Sequence, residues 1–140
     1  MAFTGNAFCT SAKVGFLTGT YIPLSDTMKI ALYTSTATLD ATTTVYTTSN
    51  EVVGTGYTAG GNTLAGNAIS YSGTTAWITF SDSSWTTATI TARGALIYDS
   101  TRSNAAIAVL DFGSDKTSTA GTFTVQMPAA AASTALIRIA

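Results

Sequence analysis

Thr87-Ala88-Thr89-Ile90-Thr91-Ala92-Arg93-Gly94-Ala95-Leu96-Ile97-Tyr98-Asp99 is the stretch on which the fold turns. Up to Ala92 hydroxyl and apolar side chains alternate, the period of a strand with one wet face and one dry face. At Arg93–Gly94 the alternation slips, and an apolar run continues to Tyr98. A glycine inside a strand pattern marks a bulge, so the stretch reads as one long, bent strand. The other reading is two strands that meet at Arg93–Gly94.

The same period recurs on both sides. Thr27 to Thr34 (TMKIALYT) puts Met28, Ile30 and Leu32 on one face and Lys29, Ala31 and Tyr33 on the other. Ile69 to Ser72 and Ala76 to Phe80 flank a Ser72-Gly73-Thr74 turn and read as a hairpin. Downstream come Ala105 to Phe112, Gly121 to Met127 and Thr134 to Ile139; upstream, Thr44–Thr47 is a further short candidate. Turn residues bound each run, β-branched residues abound and helix formers are scarce. The expectation is an all-β, single-domain antiparallel β-sandwich of jelly-roll type with about eight strands. One short helix is expected at Thr10–Leu17, with Val14 and Leu17 sharing a face and Gly19 ending it. Residues 1–24 lack clean alternation and read as an N-terminal aromatic arm ahead of a jelly-roll domain at 25–140. Ser35–Thr44 and the glycine-dense Gly54–Gly66 read as loops.

A chain of 140 residues suits one domain. Its charge content is unusual: 9% of residues are Asp, Glu, Lys or Arg, and the net charge is −1. Ordinary domains carry about 25%. Polarity must come from hydroxyls, with 29 threonines and 14 serines. Such a surface hydrates without a long-range field, and a net charge near zero favours association. The cations Lys13, Lys29, Arg93, Arg102, Lys116 and Arg138 are scattered, so no direct nucleic-acid contact is expected. The longest apolar runs, Ala105–Leu110 and Pro128–Ala132, are too short to span a bilayer, and no membrane partner is expected. The opening Met-Ala-Phe-Thr-Gly lacks a signal peptide's basic start and apolar stretch, so synthesis in the cytoplasm without a cleaved leader is expected. The lone Cys9 reads as a small buried hydrophobe.

Chemistry is hard to find. With no histidine, His-based triads and general bases are excluded, as are zinc sites that need imidazole. Asp111-Phe112-Gly113 spells a kinase tripeptide without a kinase context. The glycine run Gly54–Gly61 lacks the lysine and helix of a phosphate loop. The seven carboxylates Asp26, Asp40, Glu51, Asp82, Asp99, Asp111 and Asp115 sit mostly beside turn residues, where Asp bonds its own backbone. The expectation is no enzyme activity, no catalytic residue, no cofactor and no metal. Glu51, the only glutamate, and Arg93 each need a partner if buried, and they are expected to form a structural ion pair pinning the glycine loop to the sheet; the other reading leaves both exposed and unrelated. Trp77 and Trp85 read as core rather than as a sugar-stacking platform.

Three runs together resemble a known class: Met28–Ser35, Asn50–Gly61 (NEVVGTGYTAGG) and Thr89–Tyr98 (TITARGALIY). They are similar to capsid cement (decoration) proteins of tailed double-stranded DNA bacteriophages, of the Bordetella podophage type, over roughly Thr27 to Ile139. The resemblance implies a jelly-roll domain on the outer virion surface, made in the host cytoplasm. Its implied partners are the major capsid protein with the HK97-type fold and itself, as a dimer, with a trimer as the alternative. It carries over no catalytic or contact residues. Phe3, Phe8, Phe16 and Tyr21 are candidate capsid or self-association anchors on physical grounds, in an arm that orders on assembly; the other reading is that these aromatics cap the sandwich. The competing readings are a receptor- or carbohydrate-binding module of a tail fibre and a minor head–tail or tail-tube component.

Overall fold

Residues Ser83–Asp99 form one strand of 17 residues, and one of its four register irregularities falls where the sequence pattern slips. The register against the neighbouring strand shifts between Ala92 and Gly94. A side chain at Gly94 would collide with the Phe3 ring and the Leu110 carbonyl, so the bulge needs glycine for space. The computed structural model describes residues 3–140. In chain order its elements are β1 (Ala7–Phe8), α1 (Thr10–Leu17), β2 (Met28–Tyr33), β3 (Asn62–Thr63), β4 (Ala68–Ser72), β5 (Thr75–Thr79), β6 (Ser83–Asp99), β7 (Ala105–Val125) and β8 (Ile137–Ile139).

Two antiparallel sheets result, one of five strands in the order β1-β7-β6-β2-β3 and one of three in the order β4-β5-β8. This is the expected all-β sandwich of about eight strands with one short helix. β6 and β7 form a long hairpin closed by residues 100–104, where Ser103 and Asn104 adopt positive φ. Only Gly94–Asp99 pairs with β2; the rest of β6 extends past the end of β2 at Tyr33. The β4–β5 hairpin turns at Gly73, with φ +58, a value glycine holds without strain.

Several expectations need correction. Ala105–Phe112 and most of Gly121–Met127 belong to a single strand of 21 residues, Ala105–Val125, because the intervening Lys116–Ser118 stays paired with β6. Hydroxyls bond across that pair, Thr91 with Thr117 and Ser84 with Thr124. Thr44–Thr47 contributes only an isolated bridge, Val45 to Ala105. α1 runs over Thr10–Leu17 as expected, yet it buries Ala12 and Gly15 and turns Val14 and Leu17 to solvent. Gly15 is needed there because a side chain would strike the Tyr21 ring.

Residues 3–24 belong to the folded body. β1 extends the large sheet, Phe3 is buried with a bridge to Leu39, and Cys9 and Ala12 are fully enclosed. Burial and then the nearby Asp40 push the Cys9 thiol up to about 11, so it packs as a hydrophobe.

The central strands β2 and β6 are covered on both faces. Met28, Ile30, Leu32 and Ile97 are buried on one face, and Ala31, Tyr33, Leu96 and Tyr98 on the other. The connection from Thr34 to Gly61 seals the second face. Its closest approach is at Gly61, where a Cβ would overlap the Ile30 carbonyl and φ is +70. Gly61→Ala should therefore lower stability by about 2 kcal/mol or more, through both strain and displacement of the connection. Urea denaturation measures this; a loss within about 0.5 kcal/mol would contradict the close approach.

Candidate functional site

A single carboxylate orders the connection over β2–β6. Glu51, 6% exposed, accepts from the Tyr46 hydroxyl at 2.7 Å, the Tyr57 hydroxyl at 2.6 Å and the Gly60 N–H at 2.7 Å. Around it Tyr98 donates to the Gly60 carbonyl, Tyr33 to the Thr47 carbonyl, and the Leu32 N–H donates to the Tyr57 hydroxyl. Tyr46 stacks on Tyr98 with centroids 4.5 Å apart. Burial, and then the Glu51 charge, raises Tyr98 to about 12 and holds Tyr33 well above its ordinary range. Tyr46 and Tyr57 are raised by burial and by their bonds to Glu51. Each of these four hydroxyls is committed as a donor within this closed cluster. The arrangement is a clamp.

Arg93 is not part of it. Its Nε lies 3.1 Å from Asp111 Oδ1, on the β7 strand that Gly94 pairs with. The expected Glu51–Arg93 pair is thus corrected: a cross-strand carboxylate takes the guanidinium, and Glu51 needs no cation because three donors satisfy it. What ties the glycine loop to the sheet is tyrosine: Tyr98 donates to the Gly60 carbonyl, and the Tyr57 hydroxyl accepts from the Leu32 N–H. For Asp111 burial acts upward; the Gly113 N–H and then Arg93 outweigh it and hold the carboxyl below its usual range. Glu51→Ala should cost about 3 kcal/mol or more by orphaning buried donors, and Arg93→Ala about 1 kcal/mol or less. A double-mutant cycle should be additive within about 0.5 kcal/mol; strong coupling would contradict the separation.

Asp26 and Asp99 form the other buried acidic group. Arg102 reaches Asp26 with Nε at 3.0 Å and Nη2 at 3.1 Å. Asp99 Oδ1 accepts from the backbone N–H groups of Thr101 and Arg102, while Oδ2 is enclosed without a donor beside Asp26. Burial, and then Asp26, pushes Asp99 up to about 6; Arg102 draws Asp26 down. The pair resembles catalytic carboxylates chemically, but a guanidinium occupies one and backbone amides the other. Among the described residues no group of three or more His, Cys, Asp or Glu is placed to hold a metal ion.

The aromatics of residues 3–21 separate into two places. Phe3 plugs the bulge at Gly94. Phe8, Phe16 and Tyr21 form a chain, with centroids 5.7 Å and 5.9 Å apart, and Lys13 sits over the Phe8 ring. They are half-buried and floor two apolar grooves. One, about 330 Å³, is lined by Phe16, Tyr21, Ile22, Ile69, Trp77 and Ile139; the other, about 300 Å³, by Phe8, Phe16, Leu17 and Ile139 with Lys13 and Arg138. On the shared rim Leu17 is 86% exposed, and Ile22, Ile69 and Ile139 are also exposed. Sequence reasoning found the aromatic floor but missed this rim, whose members come from α1, the following loop, β4 and β8. Of the tryptophans, Trp85 is core at 4% exposure and Trp77 is half-buried.

No protein-family model, no curated protein and no solved structure matches the chain. No helix among the described residues is long and apolar enough to cross a membrane.

The Asp99 acid is weaker folded than unfolded, so its ionisation opposes folding. The stability it preserves is complete below its ordinary value of 3.8 and falls away as pH rises through about 6. Asp26 acts in the opposite sense, losing its contribution only as pH falls below 3.8. Asp99→Asn keeps the acceptor for Thr101 and Arg102 and gives Asp26 a donor. It should raise Tm at pH 8 by roughly 4 °C, as about 1 kcal/mol does in a domain of this size, and flatten the decline between pH 4 and pH 7. Unchanged pH dependence in thermal melts would contradict the buried acid pair.

Proposed function

We propose that this chain is a structural protein of a virus particle, a cement protein seated on the outer face of an icosahedral bacteriophage head. There it bridges neighbouring major capsid subunits of the HK97-type fold. The observation that carries the reading is the apolar rim of Leu17, Ile22, Ile69 and Ile139 above an aromatic floor, on a chain with 9% charged residues. Apolar rims of this kind mark docking surfaces. A neutral hydroxyl surface lets many copies crowd a lattice without mutual repulsion.

Cementing follows from selective binding. A ligand that fits only the assembled, expanded shell stabilises that state by RT ln(1 + [L]/Kd) per site. Repeated over symmetry-related positions, a modest contact energy resists the internal pressure of packaged DNA. Nothing in this mechanism asks for a reactive group. The tail-fibre alternative draws its support from a tryptophan platform, and with Trp85 in the core only Trp77 is left for it.

Purified chain mixed with expanded empty shells of the virus that encodes it should bind in numbers matching the shell's symmetry sites and raise the temperature at which the shells open. Leu17→Asp, at a position 86% exposed, should leave the fold's stability within about 0.5 kcal/mol and weaken shell binding about tenfold or more. A handful of copies per particle, or binding indifferent to Leu17→Asp, would overturn the proposal.

A further inference from the structure

Edge strands of soluble proteins are guarded by charge, proline, a bulge or a covering segment, because an open edge templates pairing with another chain. The free edges here are unequally guarded. β1 and β3 are each two residues long, β8 carries Arg138, and the outer edge of β7 carries Asp115, Lys116 and a positive-φ residue at Ala120. β4 has no such guard. Its sequence Ala68-Ile69-Ser70-Tyr71-Ser72 has neither charge nor proline, all five residues are exposed, and Tyr71 is 76% exposed. The chain carries no charged residue anywhere from Val52 to Ser81. Among the described residues, no backbone group of β4 bonds outside its ladder with β5.

We propose that β4 is the self-association edge: two copies pair their β4 strands antiparallel about a two-fold axis through Ser70, fusing two three-stranded sheets into one. The inference rests on the reading of the chain as a self-associating shell component and names its contact. The hairpin fixes the register. Ser72 and Thr75 flank a two-residue turn, so Ser72, Ser70 and Ala68 exchange their backbone bonds with β5. Ile69 and Tyr71 therefore direct their N–H and C=O groups to the open side. With the axis at Ser70, Ile69 of one copy meets Tyr71 of the other as a hydrogen-bonded pair, in both directions. Ser70 meets its own copy as a non-hydrogen-bonded pair.

The side chains agree with this register. Ile69 and Tyr71 lie on the same face as their cross-strand neighbours Ile78 and Ala76, continuous with Ile137 and Ile139, and an aromatic opposite a β-branched side chain is a favourable cross-strand pair. On the other face Ala68 meets Ser72, and neither is large enough to clash. A second copy is the occupant because a two-fold makes every contact twice, so any charge on the strand would lie close to its own copy. Only a charge-free strand whose small–large–small–large–small pattern reads alike in both directions suits that contact. A partner recognised by opposite charge finds nothing here to pair with.

Sedimentation equilibrium of the purified full chain should show a concentration-dependent dimer. Ser70→Lys sets two ammonium groups face to face at the axis and should weaken dimerisation about tenfold or more, while the melting temperature holds because Ser70 is exposed. Ser70→Cys places two thiols across a non-hydrogen-bonded pair with Cα atoms about 4.5 Å apart, within disulfide reach, and should link the copies on oxidation. Ser72→Cys, opposite Ala68, should not, and buried Cys9 does not compete. A monomer at every concentration, or a dimer indifferent to Ser70→Lys and unlinked through Ser70→Cys, would overturn the pairing. A monomer that still coats shells sinks the pairing alone; a Ser70-dependent dimer that never attaches to shells supports the pairing and sinks the cement reading.

Discussion

The buried carboxylate of Glu51 is the constraint on which the rest of the molecule depends. A charge taken out of water is tolerable only when donors replace its hydration, and Tyr46, Tyr57 and the Gly60 amide do so at 2.6–2.7 Å. Glu51 and its donors all lie on the long connection between β2 and β3, so satisfying the carboxylate fixes that connection's shape, and the bonds of Tyr57 with Leu32, Tyr98 with Gly60 and Tyr33 with Thr47 hold it over the second face of β2 and β6. Without the wrap, Ala31, Leu96 and the rings of Tyr33 and Tyr98 would face solvent. The sheet's centre is therefore dry on both sides, though only one face of β2 carries a row of large aliphatic side chains.

That division explains what could be read from residues alone. The register irregularity at Arg93–Gly94, the hairpin at Gly73 and the helix over Thr10–Leu17 are local features, written in glycine placement and periodicity, and all three were legible. The continuity of β7 was not, because Ser114–Thr119 looks like a loop until its hydroxyls find Thr91 and Ala88 across the strand pair. Partner choice among charges was not legible either. Arg93 takes Asp111 because strand register brings it near, and register is a property of two segments at once. The aromatic floor was visible as four residues; that Phe3 leaves to fill a bulge while Ile69 and Ile139 arrive to complete a rim depends on tertiary placement.

Scarcity of charge connects these features to function. A chain that carries 9% charged residues commits several of them to internal contacts: Glu51 in the clamp, Asp26 with Arg102, Arg93 with Asp111. The outside is rich in threonine and serine and carries an apolar rim and an unguarded strand. Such an exterior gives little long-range steering and little repulsion between copies, and its contacts gain strength by being repeated. Two antiparallel sheets, a closed polar cluster and exposed apolar side chains suit the proposed role of a component that holds others in place.

A near-atomic reconstruction of the intact particle tests that account most directly. It predicts this sandwich in density on the shell's exterior, spanning neighbouring subunits, with Leu17 and Ile139 turned inward against them. Shells bare of such density, or copies whose Leu17–Ile139 face looks out to solvent, would contradict it.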